Sequence, residues 1–173
     1  MESRAKLLGH PIHPMLIVFP LGLLATSFIF DIVFYATKKD GLAHAAYWCI
    51  AAGVVGGLLA AGFGFWDWLA IPNGTRAKRI GLWHGSGNVV VVLLFAVSCV
   101  LRYPDGAHRP SVAAFALSLV GVAIAAVSGW LGGELVDRLG VGVDQGAHLD
   151  APSSLSGRPV TEPATPGRLR RVA

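Results

Sequence analysis

Four apolar runs, each about as long as a bilayer is thick, constrain this chain more than any other feature. They cover residues 14–36, 43–69, 80–101 and 111–136 approximately, and a helix needs about 20 apolar residues to cross the hydrocarbon core of a membrane. Charged residues and turn formers separate the runs, as in Lys38-Lys39-Asp40-Gly41. We therefore expect an all-α integral membrane four-helix bundle with up-down-up-down topology.

The composition favours a membrane protein and excludes several other classes. Hydrophobic residues make up 54% of the chain and charged residues 14%, whereas a soluble domain usually carries about 25% charged residues. The net charge is +4, but the basic residues lie in loops and tails, so we expect no nucleic-acid binding. The two cysteines form neither a CxxC motif nor a disulfide framework. The chain has no phosphate loop, dinucleotide fingerprint or nucleophile elbow, and we do not expect it to be an enzyme by itself.

The runs divide the chain into three parts and predict its orientation. Residues 1–13 form a polar lead, residues 14–143 the transmembrane domain, and residues 144–173 a tail rich in Pro, Ser, Thr and Arg that we expect to be disordered. Four spans place both termini on one side, and that side carries more Lys and Arg than the side that holds Lys38, Lys39, Arg102 and Arg109. The positive-inside rule predicts that both termini are cytoplasmic.

Five ionisable residues lie at the terminus side of the bundle. Because the spans alternate in direction, these residues come within a turn or two of one level in the membrane. Ionisable groups at membrane depth cost a few kcal/mol and usually mark a function. The residues are His10, His13, Asp67, His84 and Glu134.

Three interpretations of this cluster remain open. In the first, His13 and His84, on spans that lie diagonally across the bundle, are the axial ligands of haem b in a small redox subunit. In the second, a zinc or iron ion is bound by His10, His13 and His84 together with a carboxylate from Asp67 or Glu134. In the third, the protein is a structural or assembly factor without a cofactor, and the carboxylates accept bonds from Trp indoles or loop arginines.

Two further patterns concern the opposite side and the packing. Asp31 is the one acid clearly inside an apolar run, and we expect His44 or Tyr47 to pair with it. Two GxxxG motifs, at Gly53/Gly57 and Gly129/Gly133, allow another helix to approach closely. They predict tight helix packing and leave a homo-oligomer open.

Several segments together resemble a known family. HPIHPMLIVFPLGLL, the Trp66-Asp67-Trp68 triplet, the His84 region and GWLGGELVDRLGVGV are similar to the bacterial membrane proteins grouped as domain of unknown function 2231. The resemblance covers residues 8–144 and implies four helices and a place in the bacterial inner membrane. Some relatives are fused to a Rieske iron–sulfur domain, which implies an iron–sulfur redox partner. Where the family pattern reads Tyr-Arg-His-Gly, this chain has Asp137-Arg138-Leu139-Gly140, so one histidine of the family is absent.

Overall fold

Four helical spans follow one another in the computed structural model, which describes residues 1–163. The first span consists of α1 (Ile12–Leu16) and α2 (Val18–Thr37). The others are α3 (Asp40–Ala70), α4 (Arg76–Arg102) and α5 (Val112–Gly133), and α5 continues as a π-helical turn, Glu134–Arg138. All four spans are long and apolar enough to cross a membrane. The predicted all-α four-helix bundle is confirmed, and the protein is a multi-pass membrane protein.

The ends of the spans follow from local sequence. Thr75 caps α4 by accepting a hydrogen bond from the backbone N–H of Lys78 at 3.1 Å, and Ser111 caps α5 in the same way from Ala114 at 3.2 Å. The first span is interrupted at Ile17, one turn before Pro20. Proline has no N–H to donate to the preceding turn, which explains why the helix breaks here.

The spans pack as a square. α2 packs along α3, α3 along α4, α4 along α5, and α5 back against α2, so that α2 and α4 lie diagonally across the bundle. An apolar cluster of Leu24, Ile50, Val91 and Phe95 fills the middle of the interior. Around it the fully buried positions include several polar side chains, Ser27, Asp31, Ser98, Arg102 and Ser118. This distribution suits a bundle whose apolar outer surface faces lipid.

The chain contains an internal repeat of two helical hairpins. The first hairpin is formed by α1, α2 and α3, and the second by α4 and α5. Asp31 lies 71 residues before Arg102, and the same offset relates three other pairs along the first helix of each hairpin. These pairs are His13 and His84, Leu24 and Phe95, and Ser27 and Ser98.

The second helices of the hairpins repeat at one constant, slightly shorter offset. Four buried positions of α3 correspond to the four buried positions of α5, namely Ala46 and Ala114, Ile50 and Ser118, Gly53 and Gly121, and Ala60 and Ser128. Both hairpins run in the same direction, so we infer that they are related by a pseudo-two-fold axis along the membrane normal. Residues that are equivalent in the two hairpins therefore meet across this axis.

The N-terminal segment forms a small cap on the terminus side. β1 (Lys6–Leu7) pairs antiparallel with β2 (His10–Pro11) through a turn in which Leu8 and Gly9 both have positive φ, as a two-residue hairpin turn requires. The N-terminal amine of Met1 donates to the carbonyl of Gly140 at 2.8 Å. Lys6 is bonded to Asp144 and to Glu2, and these hydrogen bonds raise the pKa of Lys6 above its ordinary value. The polar lead is thus folded against the bundle.

The predicted tail begins in described residues and ends outside them. Residues 144–163 form turns and a short 3-10 helix, Ser154–Ser156, and Ser154 lies against Gly9 and His10. Residues 164–173 lie outside the described part of the chain. The prediction that residues 144–173 are disordered stays a prediction.

Candidate functional site

Two histidine side chains meet across the pseudo-two-fold axis at the terminus side. The ring centroids of His13 and His84 are 6.2 Å apart and the ring planes are perpendicular. His13 comes from α1, and His84 from the third turn of α4. The structure therefore places these two predicted site residues next to each other, on spans that lie diagonally across the bundle. We call these two side chains the histidine pair.

Each imidazole of the pair is held by the second helix of its own hairpin. His13 Nδ1 is 2.8 Å from the carbonyl oxygen of Ala60, and His84 Nδ1 is 2.8 Å from the carbonyl oxygen of Ser128. A carbonyl oxygen can only accept, so Nδ1 carries the proton in both rings and Nε2 has the lone pair of the neutral imidazole. Ala60 and Ser128 are equivalent in the repeat, so the two histidines are fixed in the same manner.

A glycine one turn further along makes room for each ring. A Cβ atom on Gly64 would lie 2.8 Å from the ring of His13, and one on Gly132 would lie 3.1 Å from the ring of His84. These two glycines are again equivalent in the repeat. A side chain at Gly64 would force the ring of His13 to shift, and one at Gly132 would make a tight contact with the ring of His84.

The two Nε2 atoms have different surroundings. His84 Nε2 lies 3.2 Å from Nδ2 of Asn88, which donates to it if His84 Nδ1 holds the proton. His13 Nε2 has no hydrogen-bond partner among residues 1–163. Asn88 corresponds to Ile17 in the first hairpin, so the repeat is broken at this position.

The other three predicted ligands are engaged elsewhere. Asp67 accepts hydrogen bonds from Oγ of Ser3 at 2.7 and 2.8 Å and from the backbone N–H groups of Arg4 and Ala5 at 2.8 and 3.2 Å. Glu134 forms a salt bridge of 2.6 Å with Arg76, which is the loop-arginine pairing that the third interpretation expects.

His10 lies in the cap, where its Nε2 is 3.2 Å from Oγ of Ser154. Within the described part of the chain, no three His, Cys, Asp or Glu side chains come close enough to hold a metal ion together. Of the five candidate residues, the structure brings together only the histidine pair.

The opposite side holds a buried ion pair that the sequence reasoning missed. Asp31 pairs with Arg102 through two hydrogen bonds of 2.6 Å, and both side chains are fully buried. The prediction that His44 or Tyr47 is the partner of Asp31 is wrong, because α4 extends one residue beyond the predicted span and carries Arg102 inward. His44 and Tyr47 instead stack on His108, with centroid distances of 5.2 and 3.9 Å.

The two GxxxG motifs differ in what they contact. A Cβ on Gly53 would lie 2.7 Å from Leu24, and one on Gly57 would lie 2.9 Å from Val92, so the first motif is used for packing within the chain. Among residues 1–163, nothing lies within 4 Å of a Cβ on Gly129 or Gly133. A homo-oligomer through Gly53 and Gly57 would have to displace these contacts, whereas one through Gly129 and Gly133 would not.

Comparison with known proteins agrees with the resemblance noted in the sequence. Residues 9–145 match the family described as predicted membrane protein, domain of unknown function 2231. The chain belongs to this family. No curated protein and no solved structure matches the chain. In this member of the domain of unknown function 2231 family, two repeated hairpins bring one histidine pair together.

Proposed function

We propose that His13 and His84 bind one metal centre between their Nε2 atoms, that this centre is haem b, and that the protein is a small redox subunit of the membrane. The observation that carries the proposal is the histidine pair itself, with its centroids 6.2 Å apart and both Nδ1 atoms tied to backbone carbonyls. Histidines that bind metals usually donate their other N–H in this way, which fixes the ring and the tautomer.

The number of available ligands favours haem over a bare ion. Zinc sites usually have three or four protein ligands, and only two of the predicted ligands come together here. Haem iron needs only axial ligands from the protein, because the macrocycle supplies the remaining nitrogens. Haem bound by this pair supplies one-electron redox chemistry.

The residues around the histidine pair determine whether the two Nε2 atoms are available to a ligand. The carbonyls of Ala60 and Ser128 hold the Nδ1–H groups, so that both Nε2 lone pairs can be directed to one ligand. Asn88 has to turn away from His84 before that nitrogen can bind. Two surface grooves, of about 230 and 320 Å³, are lined by neither histidine.

A second candidate function is a structural or assembly protein without a cofactor. It is favoured by the observation that Asp67, Glu134 and His84 Nε2 all have partners inside the chain. In this case the histidine pair only joins the two hairpins. A zinc or iron ion bound by His10, His13, His84 and one carboxylate would require Asp67 or Glu134 to leave its present partner.

The test is a reduced-minus-oxidised absorption spectrum of the protein, purified in mild detergent after expression with added haem precursor. We expect a sharp Soret and α band near one haem per chain. His13→Ala and His84→Ala should each abolish the bands, because the second axial ligand is lost. The matched control is His10→Ala, which removes an imidazole three residues from His13 and should leave the spectrum unchanged.

The outcome decides between the candidates. A flat spectrum from well-folded, haem-supplied protein overturns the haem proposal. Metal analysis of the same sample then separates the remaining two. Zinc or iron that is lost in His84→Ala supports a metal site, and no bound metal supports the cofactor-free protein.

A further inference from the structure

The ends of the pseudo-two-fold axis carry different kinds of residue pair. At the terminus side the repeat places like residues together, His13 and His84. At the opposite side it places unlike charges together, Asp31 and Arg102, in equivalent positions of the two hairpins. In each hairpin about 18 residues separate the two positions, which corresponds to about 27 Å along a helix and to nearly the full hydrocarbon core.

Arg102 and Asp31 bind each other in one defined geometry. Nη1 and Nη2 of Arg102 each donate to one carboxylate oxygen of Asp31 at 2.6 Å, and Nη2 also reaches Oγ of Ser98 at 3.2 Å and of Ser118 at 3.3 Å. Two parallel bonds fix both the distance and the orientation of the groups. The exposed fraction of both side chains is 0%, so neither charge can be solvated if the partner is displaced.

The unlike charges favour pairing of the first hairpin with the second over pairing of either hairpin with a copy of itself. If a hairpin associated with a copy of itself, Asp31 would face Asp31, or Arg102 would face Arg102, although the histidine positions would still match. A buried like-charge contact is strongly unfavourable, and such contacts commonly decide which partners pair. The position of the charges therefore distinguishes the first hairpin from the second.

We propose that Asp31 and Arg102 are positioning residues that select the pairing of the first hairpin with the second and fix the register in which His13 meets His84. The ion pair acts on the histidine pair through the first span, α1 and α2, and through α4. This inference does not rest on haem binding, since it concerns only which helices face one another and at what height.

Cross-linking at the far end of the bundle tests the proposal without any cofactor. The full chain would carry His13→Cys and His84→Cys in a Cys49→Ala/Cys99→Ala background, with a protease site inserted in the loop between α3 and α4. A short thiol cross-linker is applied in membranes. After proteolysis, the two halves stay joined on a gel only if the introduced thiols have been linked, and a monomer-sized band in the undigested sample shows that the link lies within one chain.

Asp31→Arg and Arg102→Asp should each lower the joined fraction by about tenfold or more, because each leaves two like charges buried together. The double variant Asp31→Arg/Arg102→Asp should restore the joined fraction. If the single variants are degraded in the cell, the double variant still tests the proposal, because it must then recover both the expression level and the joined fraction. Failure of the double variant to recover either would overturn the proposal.

Two further variants separate positioning from simple stability. Asp31→Leu/Arg102→Met removes both charges and should keep the protein folded, but it should lower the joined fraction because the register is no longer selected. Cross-linking at the original level in this variant would overturn the proposal. The matched control is the exposed pair Asp40–Arg109 at the same side, bonded at 2.6 and 2.7 Å, where Asp40→Arg should leave the joined fraction unchanged.

Discussion

Two glycines determine how closely the histidine pair can approach the helices that hold it. A methyl group on Gly64 or Gly132 would press on an imidazole whose Nδ1–H is bonded to a carbonyl one turn away. The ring cannot move without losing that bond. We expect Gly64→Ala to destabilise the protein by about 1–3 kcal/mol, and Gly132→Ala to have a smaller effect because its Cβ would lie further from the ring, at 3.1 Å.

The measurement for these glycine variants is the midpoint of thermal unfolding in detergent, followed by size-exclusion chromatography. The chain provides matched controls in Gly62→Ala and Gly129→Ala, on the same two helices, where a Cβ meets nothing within 4 Å. The controls should keep the original midpoint. Equal midpoints for all four variants would show that the imidazoles are not packed against the helix backbone.

At the scale of single residues, the sequence identified the histidine pair but not the ion pair. His13 and His84 stand out because imidazoles are rare in apolar runs. Arg102 lies at the boundary of an apolar run, where an arginine is usually solvated, and its partner is 71 residues away. Nothing in the local sequence tells a loop arginine from one that turns into the bundle.

At the scale of elements, the spans could be predicted but the repeat was missed. Lipid-facing and interior positions are both apolar in a membrane bundle, so hydrophobic periodicity does not reveal which face is buried. The signal that could have found the repeat is the recurrence of His, Ser and Gly at constant offsets, as in Ser27 and Ser98 or Gly53 and Gly121. The buried serines and glycines mark the interior better than the large apolar residues do.

The N-terminal cap is attached to α3 through one carboxylate. Asp67 accepts hydrogen bonds from three donors, Oγ of Ser3 and the backbone N–H groups of Arg4 and Ala5, and an uncharged amide in its place would be a weaker acceptor than the carboxylate. We expect Asp67→Asn to weaken the attachment of the cap by about 1–3 kcal/mol. Limited proteolysis of the first 11 residues in detergent should become faster, while the helical core stays intact.

The control for the cap is Asp150→Asn, an exposed acid whose side chain makes no hydrogen bond within the described residues. It should leave the rate of proteolysis unchanged. If Asp67→Asn is cleaved no faster than this control, the cap is held by its other contacts, which are Met1 with Gly140 and Lys6 with Asp144.

For the whole molecule, the structure sharpens the charge asymmetry between the two sides. Of the four basic residues assigned to the side opposite the termini, Arg102 is buried in an ion pair and Arg109 is bonded to Asp40. The hydrogen bond with Asp40 also raises the pKa of Arg109. Because Arg102 is buried in the bundle, Lys38, Lys39 and Arg109 are the basic residues assigned to that side that lie in its loops, and the count of loop cations still favours cytoplasmic termini.

Labelling with a membrane-impermeant maleimide tests this orientation in spheroplasts of a bacterial host. In a Cys49→Ala/Cys99→Ala background, Lys39→Cys should be labelled while the membrane is intact, because its loop faces outward. Arg79→Cys, at the start of α4, should be labelled only after the membrane is permeabilised. The opposite pattern would place the histidine pair and the cap on the outer side, where a redox partner would have to be extracytoplasmic.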